Sequence, residues 1–194
     1  MLRTLKYFLI NILFLHPKRA FKQLYYWVLL RYPRPGTKLH LGCGQRSIDG
    51  FINIDLNYST ATDFVCNVDR LPCPNNSISR IETYHMIEHI PYISIDKFLC
   101  EWNRVLKKNG ILIIECPAFD EVLREYLSGN EDRIYNIFGR WRFPGDAHHW
   151  GYTAKSLKSL IEKFGFSTKL SLPIDYHKEL EPCLRMECEK LKKV

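Results

Sequence analysis

The sequence predicts an α/β domain with a doubly wound, mainly parallel β-sheet. Short segments of strand character alternate along the chain with amphipathic helical segments, which indicates a parallel sheet covered by helices on both faces. The run Ile111–Cys116 is continuously apolar, as expected of a central strand that is buried on both sides. In sheets of this type, ligands bind beyond the carboxyl ends of the strands. We therefore expect functional residues in the turns that follow the strands.

Candidate elements can be assigned in order along the chain. Pro33, Pro35 and Gly36 separate an N-terminal segment from the rest of the chain. The predicted strands are Lys38–Leu41, Phe51–Asp55, Asp63–Cys66, Arg80–Tyr84, Ile111–Cys116, Phe166–Leu172 and Cys183–Glu189. The predicted helices are Ile95–Lys108 and Ala154–Phe164. Thr153 is the expected N-cap of the second helix. The stretch 117–151 is longer than a plain connection, which indicates an insertion with extra helix or function.

The cysteine content indicates a reducing, cytoplasmic compartment. The seven cysteines are odd in number and form no CxxC pair, so neither a zinc ribbon nor a thioredoxin-type site is expected. Several lie inside apolar runs, as buried free thiols do, and we expect no structural disulfide. With 194 residues, 46% of them hydrophobic, the chain has the size and composition of a single globular domain.

The positive charge of the chain is concentrated in residues 1–36. This segment holds seven basic residues and no acidic one, which equals the net charge of +7 of the whole chain. A nucleic-acid enzyme would more often carry its basic surface on the catalytic domain, so no nucleic-acid partner is expected. The longest uncharged run, Tyr7–Pro17, is much shorter than the ~20 apolar residues that span a membrane. We expect a helical segment at 1–36 that packs on a domain at 37–194 or lies peripherally at the inner face of a membrane.

A pair of glycines follows the first predicted strand. Gly42 and Gly44 let the backbone turn sharply and approach a ligand, and the N–H groups beyond them can hold a carboxylate. Asp55, at the end of the next strand, can accept hydrogen bonds from both hydroxyls of a ribose. A dinucleotide fits less well, because its fingerprint needs a third glycine where Ser47 stands and an acid ~20 residues downstream. The pattern predicts a ribose-containing ligand without a pyrophosphate.

An ordered set of segments resembles the class I S-adenosylmethionine-dependent methyltransferases. The set is LHLGCG at 39–44, GFINIDL at 50–56, VDRLPCPNNSIS at 68–79, HMIEH at 85–89 and RVLKKNGILIIECP at 104–117. The likeness spans about residues 37–172 and points to small bacterial members of the methyltransferase type 11 kind. It implies a Rossmann-like, seven-stranded sheet with an antiparallel last strand. It also implies S-adenosylmethionine as the cofactor and methyl transfer as the activity.

The resemblance further implies roles for individual residues near the cofactor. The glycine loop of the family falls on Leu41, Gly42, Cys43 and Gly44. The ribose-binding acid and its neighbour fall on Asp55 and Leu56. The adenine side falls on Asp69, Arg70 and Leu71. The position under the methionine moiety falls on His85 and Met86.

The HMIEH segment permits a second interpretation. His85, Glu88 and His89 match the H-x-x-E-H signature of inverted zincins, in which both histidines lie on one helix face and bind zinc. A zinc hydrolase with Glu88 as general base is therefore the main alternative. Pro91 ends any such helix almost at once, and no third ligand follows at a clear spacing. We expect no metal ion in this protein.

Four histidines are candidates for a catalytic base, and His148, His149 and His89 are preferred to His85. A hydroxyl or amine acceptor loses a proton when it is methylated, and histidine is the usual base near neutral pH. His148 and His149 lie in the stretch GDAHHWGY at 145–152, inside the insertion where domains of this type usually build the acceptor site. His89 is the next candidate. Nearby aromatic side chains can stack on a sugar ring or belong to the core: Trp141, Trp150 and Tyr152.

The acceptor and the catalytic status remain open at this point. The acceptor is a small molecule, a saccharide or a lipid-linked intermediate, the latter two favoured by the aromatic stretch and by the basic, apolar N-terminal segment. Another alternative is a non-catalytic protein that retains the fold. Intact Gly42, Gly44, Asp55 and Asp69 argue against this alternative, because a decayed cofactor site tends to lose its glycines or its acid.

Overall fold

The computed structural model describes residues 17–143, 145–174 and 181–191. Its strands are β1 (Lys38–Leu41), β2 (Ile52–Asp55), β3 (Phe64–Val65), β4 (Ile78–Tyr84), β5 (Leu106–Pro117), β6 (Phe166–Ser171) and β7 (Cys183–Lys190). Its helices are α1 (Pro17–Arg31), α2 (Ile95–Val105), α3 (Phe119–Leu127), α4 (Ile134–Phe138) and α5 (Ala154–Lys163). Short 3₁₀ turns lie at Ile87–His89, Tyr92–Ser94 and Glu131–Arg133.

The strands form one seven-stranded sheet in the order β3-β2-β1-β4-β5-β7-β6. The pairs from β3 to β5 are parallel, whereas β7 runs antiparallel to both β5 and β6. The predicted Rossmann-like sheet, mainly parallel with an antiparallel last strand, is therefore confirmed. Because β1, β2, β3, β4 and β5 run in the same direction, the turns that follow them meet at one edge of the sheet.

Helix α2 covers the sheet through its apolar stripe. Leu99, Trp102 and Val105 recur at helical spacing and are completely buried in the main core cluster. Burying side chains of this size contributes roughly 1.5–3 kcal/mol each to the free energy of unfolding. The indole Nε1 of Trp102 donates to the carbonyl oxygen of Val68 at 3.1 Å, so the largest buried side chain also has its polar atom satisfied.

The predicted helix Ile95–Lys108 is wrong at its C-terminal end. Helix α2 ends at Val105, and Leu106 adopts an extended conformation and pairs with Ile78 of β4. The chain then continues as the long strand β5, with Asn109 in the left-handed region at φ 59°. Pairing with β4 thus outweighs the helical preference of the two lysines at 107 and 108.

The predicted insertion at 117–151 contains extra helices, α3 and α4. The helix after it, α5, begins with the expected cap. The Thr153 side chain accepts a hydrogen bond from the Ser156 backbone N–H, and the Ser156 side chain bonds back to the Thr153 backbone. Thr153 is therefore the N-cap, as predicted, and Ser156 completes a capping box with it. The insertion is therefore anchored at its C-terminal end by α5.

Helix α1 lies within the basic segment 1–36 and packs on the edge of the sheet. Gln23 and Leu30 are buried, and the Gln23 side-chain amide bonds to the backbone of β3 and its neighbour. Gln23 Oε1 accepts from Val65 N at 2.9 Å, and Gln23 Nε2 donates to Asp63 O at 3.2 Å. Part of the segment therefore packs on the domain, which was one of the two expectations for it. Residues 1–16 lie outside the described residues.

Among the described residues, no helix has both the length and the apolar character needed to cross a membrane. All seven cysteines lie in described regions and are free thiols. The expectation that the chain forms no disulfide agrees with this arrangement.

Candidate functional site

The glycine loop after β1 is held against the end of β2. The backbone N–H groups of Gly42 and Cys43 both donate to the carbonyl oxygen of Ile54, at 2.9 and 3.2 Å. Gly42 and Gly44 have φ values of +71° and +53°, a region that favours glycine. A Cβ on Gly42 would lie 2.8 Å from the Cβ of Met86, whereas a Cβ on Gly44 would meet no atom within 4 Å. The loop is therefore packed on one side and open on the other.

Asp55 is oriented by the same loop. Its Oδ2 accepts a hydrogen bond from Gly44 N at 2.8 Å, and its Oδ1 accepts from Asn57 N at 2.8 Å. Each carboxylate oxygen has a further lone pair, so both can still accept from the two hydroxyls of a ribose. Leu56, the next residue, is 66% exposed, which leaves an apolar side chain beside the carboxylate. These residues fit a ribose-containing cofactor.

The loop that carries Asp69, Arg70 and Leu71 is fixed by helix α2. The Leu71 N–H donates to Glu101 Oε1 at 2.6 Å, and Arg104 donates to the carbonyl oxygens of Leu71 at 3.1 Å and Cys73 at 2.8 Å. Glu101 and Arg104 also pair with each other. Sequence reasoning missed these two residues, although an oppositely charged pair at i, i+3 on a helix is a signal that could have indicated them.

His85 and Met86 follow β4, and their side chains contact different parts of the protein. Met86 packs against Gly42 of the glycine loop. The His85 ring lies on the β7 side, with Nε2 3.6 Å from Cys183 Sγ and Nδ1 3.4 Å from Glu181 Oε1. His85 also has a φ of +49°, an uncommon value for a residue with a side chain. The structure thus places Met86 beside the glycine loop and leaves the His85 side chain engaged within the protein.

Glu88 is buried at the centre of the turn after β4. Only 2% of the residue is exposed, and its Oε1 lies 3.5 Å from His85 Nδ1. Burial opposes ionisation of Glu88, but the neighbouring His85 outweighs it and lowers the pKa of the carboxyl group to about 2. Burial likewise opposes protonation of His85, but Cys183 and Glu88 outweigh it and raise the pKa of that imidazole to about 11. The two side chains therefore form a buried ion pair.

The helix that an inverted zincin requires does not form. Met86 has φ −130°, and the only helical turn here is the 3₁₀ turn Ile87–His89. His85 and His89 consequently do not lie on one helix face. His85 is grouped with Glu181 and Cys183, whereas His89 is grouped with Glu88 and His148. The geometry gives no support to the zinc hydrolase alternative.

His89 and His148 meet beside Glu88 through the insertion. Their ring centroids are 4.8 Å apart, in an edge-on arrangement. His89 Nδ1 lies 3.0 Å from the carbonyl oxygen of Ala147, and His148 Nδ1 lies 2.8 Å from that of Asn136. Burial lowers the pKa of His148, which favours its neutral form. Two of the three predicted catalytic histidines are therefore brought together.

His149 is the exposed member of the three histidines. Its backbone N–H donates to the carbonyl oxygen of Glu88 at 2.7 Å, and that of Trp150 donates to the same atom at 3.2 Å. The Trp150 ring stacks on Tyr92, with centroids 4.2 Å apart. Tyr152 is only 2% exposed and belongs to the core, whereas Trp141 is 73% exposed. The insertion is thus tied to the turn after β4, next to the carboxyl edge of the sheet.

The fold is that of known methyltransferases. An S-adenosylmethionine-dependent methyltransferase of Thermotoga maritima is 19% identical, with 89% of this chain and 91% of that chain covered and a TM-score of 0.54. One from Methanosarcina mazei is 17% identical, with 84% and 97% covered and a TM-score of 0.57. The 1,6-didemethyltoxoflavin-N1-methyltransferase of Burkholderia thailandensis, whose structure contains S-adenosylhomocysteine, is 14% identical, with 91% and 78% covered and a TM-score of 0.57.

A sequence family described as a methyltransferase domain matches residues 50–114, from the turn before β2 into β5. No curated protein matched the sequence. Over residues 50–114 the chain thus matches a methyltransferase-domain family, and its fold is that of solved S-adenosylmethionine-dependent methyltransferases. The predicted resemblance to class I methyltransferases is thereby confirmed.

Proposed function

We propose that the protein transfers a methyl group from S-adenosylmethionine to a small-molecule, saccharide or lipid-linked acceptor. The observation that carries the cofactor site is the Asp55 carboxylate, which accepts a hydrogen bond at 2.8 Å from the N–H of Gly44 in the glycine loop. When bound, the cofactor supplies an electrophilic methyl group on its sulfonium sulfur. All other steps proposed here belong to side chains and backbone groups of this chain.

The cofactor-binding residues that we propose lie along the carboxyl edge of β1, β2, β3 and β4. Asp55 accepts from the ribose hydroxyls, and the exposed side chain of Leu56 offers an apolar surface beside them. The remaining proposed contacts are Leu41, Gly42, Cys43 and Gly44 in the loop, Asp69, Arg70 and Leu71 after β3, and Met86 after β4. The engaged ring of His85 supports an indirect role, in which its backbone shapes the turn that carries Met86.

The acceptor side that we propose is built from the insertion and the turn after β4. His149 is the exposed histidine of the three, so its ring is the most accessible to an acceptor in solution. We assign it the removal of the proton that a hydroxyl or amine acceptor loses as its bond to the methyl carbon forms. His148 and His89 lie beside Glu88. The stacked rings of Tyr92 and Trp150, both 44% exposed, suit a saccharide-containing acceptor.

The cofactor part of this proposal can be tested by calorimetry. We expect S-adenosylmethionine and S-adenosylhomocysteine to bind to the purified full-length protein, and Asp55→Ala to weaken binding at least tenfold. Asp49→Ala is the matched control, because Asp49 is an exposed acid near the same loop. Equal affinity of Asp55→Ala and the parent protein would show that the cofactor site is assigned to the wrong residues.

The catalytic part requires an acceptor screen followed by substitution of the histidines. We expect His149→Ala to lower turnover by ~10²–10⁴-fold, the usual contribution of a general base, while cofactor affinity stays within a few-fold. Turnover that is unchanged in His149→Ala but lost in His148→Ala or His89→Ala would move the base to that residue. Cofactor binding without turnover on any acceptor would support the non-catalytic alternative.

We also propose that helix α1 holds the enzyme peripherally on the inner face of a membrane. Exposed apolar side chains recur along α1 at the spacing of one helix face: Phe21, Leu24, Tyr25 and Val28, with Tyr32 just beyond. They lie on a face other than that of the buried Gln23 and Leu30. The basic residues Lys18, Arg19 and Arg31 flank the stripe and are exposed. An apolar stripe between cations is typical of helices that lie in a lipid headgroup region.

A further inference from the structure

Glu88, His89 and His148 form a compact cluster that methyl transfer does not by itself explain. One ligand atom from each of the three residues lies within 4.8 Å of the other two. Glu88 is buried, and the two histidines are partly buried. Glu88 and His89 belong to the turn after β4, whereas His148 comes from the insertion about 60 residues later in the sequence. The fold therefore assembles the cluster from two separate parts of the chain.

The hydrogen bonds of the two histidines fix which ring nitrogens carry lone pairs. A backbone carbonyl oxygen only accepts, so the Nδ1 atoms that lie 3.0 Å from Ala147 O and 2.8 Å from Asn136 O must each carry the hydrogen. In a neutral imidazole this leaves the lone pair on Nε2. Histidines that bind metals are usually held in this way, with the second ring nitrogen donating to a carbonyl oxygen.

The Glu88 carboxylate lacks the hydrogen bonds that its burial demands. Neither Oε1 nor Oε2 has a hydrogen-bond partner in the described part of the chain, and the residue is only 2% exposed. His85 Nδ1 offsets its charge at 3.5 Å, which is too long for a good hydrogen bond. Buried carboxylates are ordinarily paired, hydrogen-bonded or bound to a metal. Beside the long contact to His85, both carboxylate oxygens therefore keep lone pairs with which Glu88 can bind a cation that His89 and His148 also contact.

We propose that Glu88, His89 and His148 bind a Zn²⁺ ion. Two imidazoles and one carboxylate form a known catalytic zinc ligand set, and bond lengths of about 2.0–2.2 Å put tetrahedral ligand atoms about 3.4 Å apart. The ligand atoms, now within 4.8 Å of one another, would move closer together around the ion. This site differs from the inverted-zincin arrangement, because His148 takes the place of His85. It replaces the expectation that the chain holds no metal.

The ion has a use in the proposed reaction, although its binding does not depend on that reaction. Three protein ligands leave a fourth coordination position, as in catalytic zinc sites. An acceptor hydroxyl at that position would become more acidic and would lose its proton more readily. This use rests on the proposed methyl transfer. Metal binding itself can be measured without cofactor or acceptor, so either proposal can fail while the other stands.

A second group of possible ligands provides an internal control. His85, Glu181 and Cys183 also place one ligand atom each within 4.8 Å of the others. Here, however, both His85 ring nitrogens already face partners, Cys183 Sγ at 3.6 Å and the carboxylates of Glu88 and Glu181 at 3.4–3.5 Å. We therefore expect the ion at the Glu88 cluster and not at this group.

The test is a titration of chelator-treated, full-length protein with ZnCl₂ by calorimetry and with CoCl₂ by visible absorption. We expect one equivalent of tightly bound metal and a tetrahedral Co²⁺ spectrum without a thiolate charge-transfer band. His148→Ala and His89→Ala should each weaken binding at least tenfold. Cys183→Ser and His149→Ala should leave it within threefold. Zn²⁺ should also raise the Tm of the parent protein and of Cys183→Ser, but not that of His148→Ala.

Several results would contradict the proposed Zn²⁺ site. If Zn²⁺ binds the parent protein no more tightly than it binds the His148→Ala variant, the cluster is not a metal site. Loss of binding in Cys183→Ser, or a thiolate band with Co²⁺, would place the ion at the other group. Circular dichroism and S-adenosylhomocysteine binding of each variant identify any that has not folded. Because His148 is only partly buried, its substitution keeps the test usable if Glu88→Gln fails to fold.

Discussion

The backbone of Gly42 lies against the side chain of Met86, so closely that a Cβ on Gly42 would be 2.8 Å from the Cβ of Met86. This contact joins the turn after β1 to the turn after β4 across the carboxyl edge of the sheet. Gly42 also has a φ of +71°. A side chain at position 42 would therefore be strained in its backbone and would displace Met86 at the same time.

We accordingly predict that Gly42→Val lowers the affinity for S-adenosylhomocysteine by at least tenfold. The reason is that the glycine loop and Met86 must separate to admit the branched side chain. Calorimetry gives the affinity, and thermal unfolding shows whether the variant is folded. Gly36→Ala is the matched control, because Gly36 has φ +88° but no neighbour within 4 Å of its Cβ position. If both variants bind alike, contact with Met86 is not what the site requires.

Elements that are determined by the local pattern of residues could be predicted from the sequence. The apolar run Ile111–Cys116 forms most of the C-terminal half of β5, and Thr153 is the N-cap of α5. Lys107 and Lys108 could not be assigned correctly, because pairing of Leu106 with Ile78 is a contact between distant parts of the chain. Such tertiary pairing overrides local helix propensity.

The residues of the candidate site also divide into those that could be predicted from the sequence and those that could not. The glycines and Asp55 follow strands directly, so their positions could be predicted from strand order alone. The meeting of Glu88 with His148 could not, because it depends on how the insertion folds back onto the turn after β4. The left-handed conformation of His85, at φ +49°, could not be predicted either, since residues other than glycine adopt it uncommonly.

Substitution of Lys190 is expected to destabilise the fold. This lysine is only 2% exposed, and its Nζ donates to Asn76 Oδ1 at 2.9 Å, Asn103 O at 2.6 Å and Leu106 O at 2.7 Å. Lys190→Met removes these donors and leaves buried oxygens unsatisfied, so the free energy of unfolding should fall by about 1.5–3 kcal/mol. Urea denaturation measures the change. Exposed Lys155 supplies the control, and a Lys190→Met protein as stable as Lys155→Met would contradict the prediction.

Gln23 is expected to tie helix α1 to the sheet. Gln23→Ala leaves the Val65 N–H and the Asp63 carbonyl without their partner, which should cost about 1–3 kcal/mol in the free energy of unfolding. Leu24→Ala changes the next residue, which is 57% exposed, and should cost far less. The comparison is made by urea denaturation of the two variants. Equal stabilities would mean that α1 contributes little to the folded domain.

The stability that Asp63 contributes should be lost at low pH. Burial raises the pKa of this carboxyl group, but hydrogen bonds from the Asn53 backbone and side chain and from Lys22 outweigh it, and the net pKa is lowered. Because the pKa of Asp63 is lowered in the folded state, its ionised carboxylate stabilises the fold above the unfolded-state pKa of about 3.9. This stabilisation is lost as the pH falls through the folded-state pKa. Asp63→Asn should therefore lower the Tm at pH 7 and lose less stability than the parent on acidification. Asp49→Asn, at an exposed position, is the matched control, and an Asp63→Asn protein with the same Tm as this control at pH 7 would contradict the prediction.

The last prediction concerns the exposed apolar stripe of α1. We expect the full-length protein to float with anionic liposomes, because basic residues near such a surface gain ~1 kcal/mol each and the apolar side chains add a part that salt does not remove. Replacing Phe21, Leu24 and Tyr25 by serine should abolish flotation at high salt and weaken it at low salt. Serine at Leu127 and Leu172, which are 82% and 88% exposed on other parts of the surface, is the matched control. Flotation that survives the α1 substitutions would place the lipid contact elsewhere, and a parent protein that ignores the liposomes would remove the membrane proposal altogether.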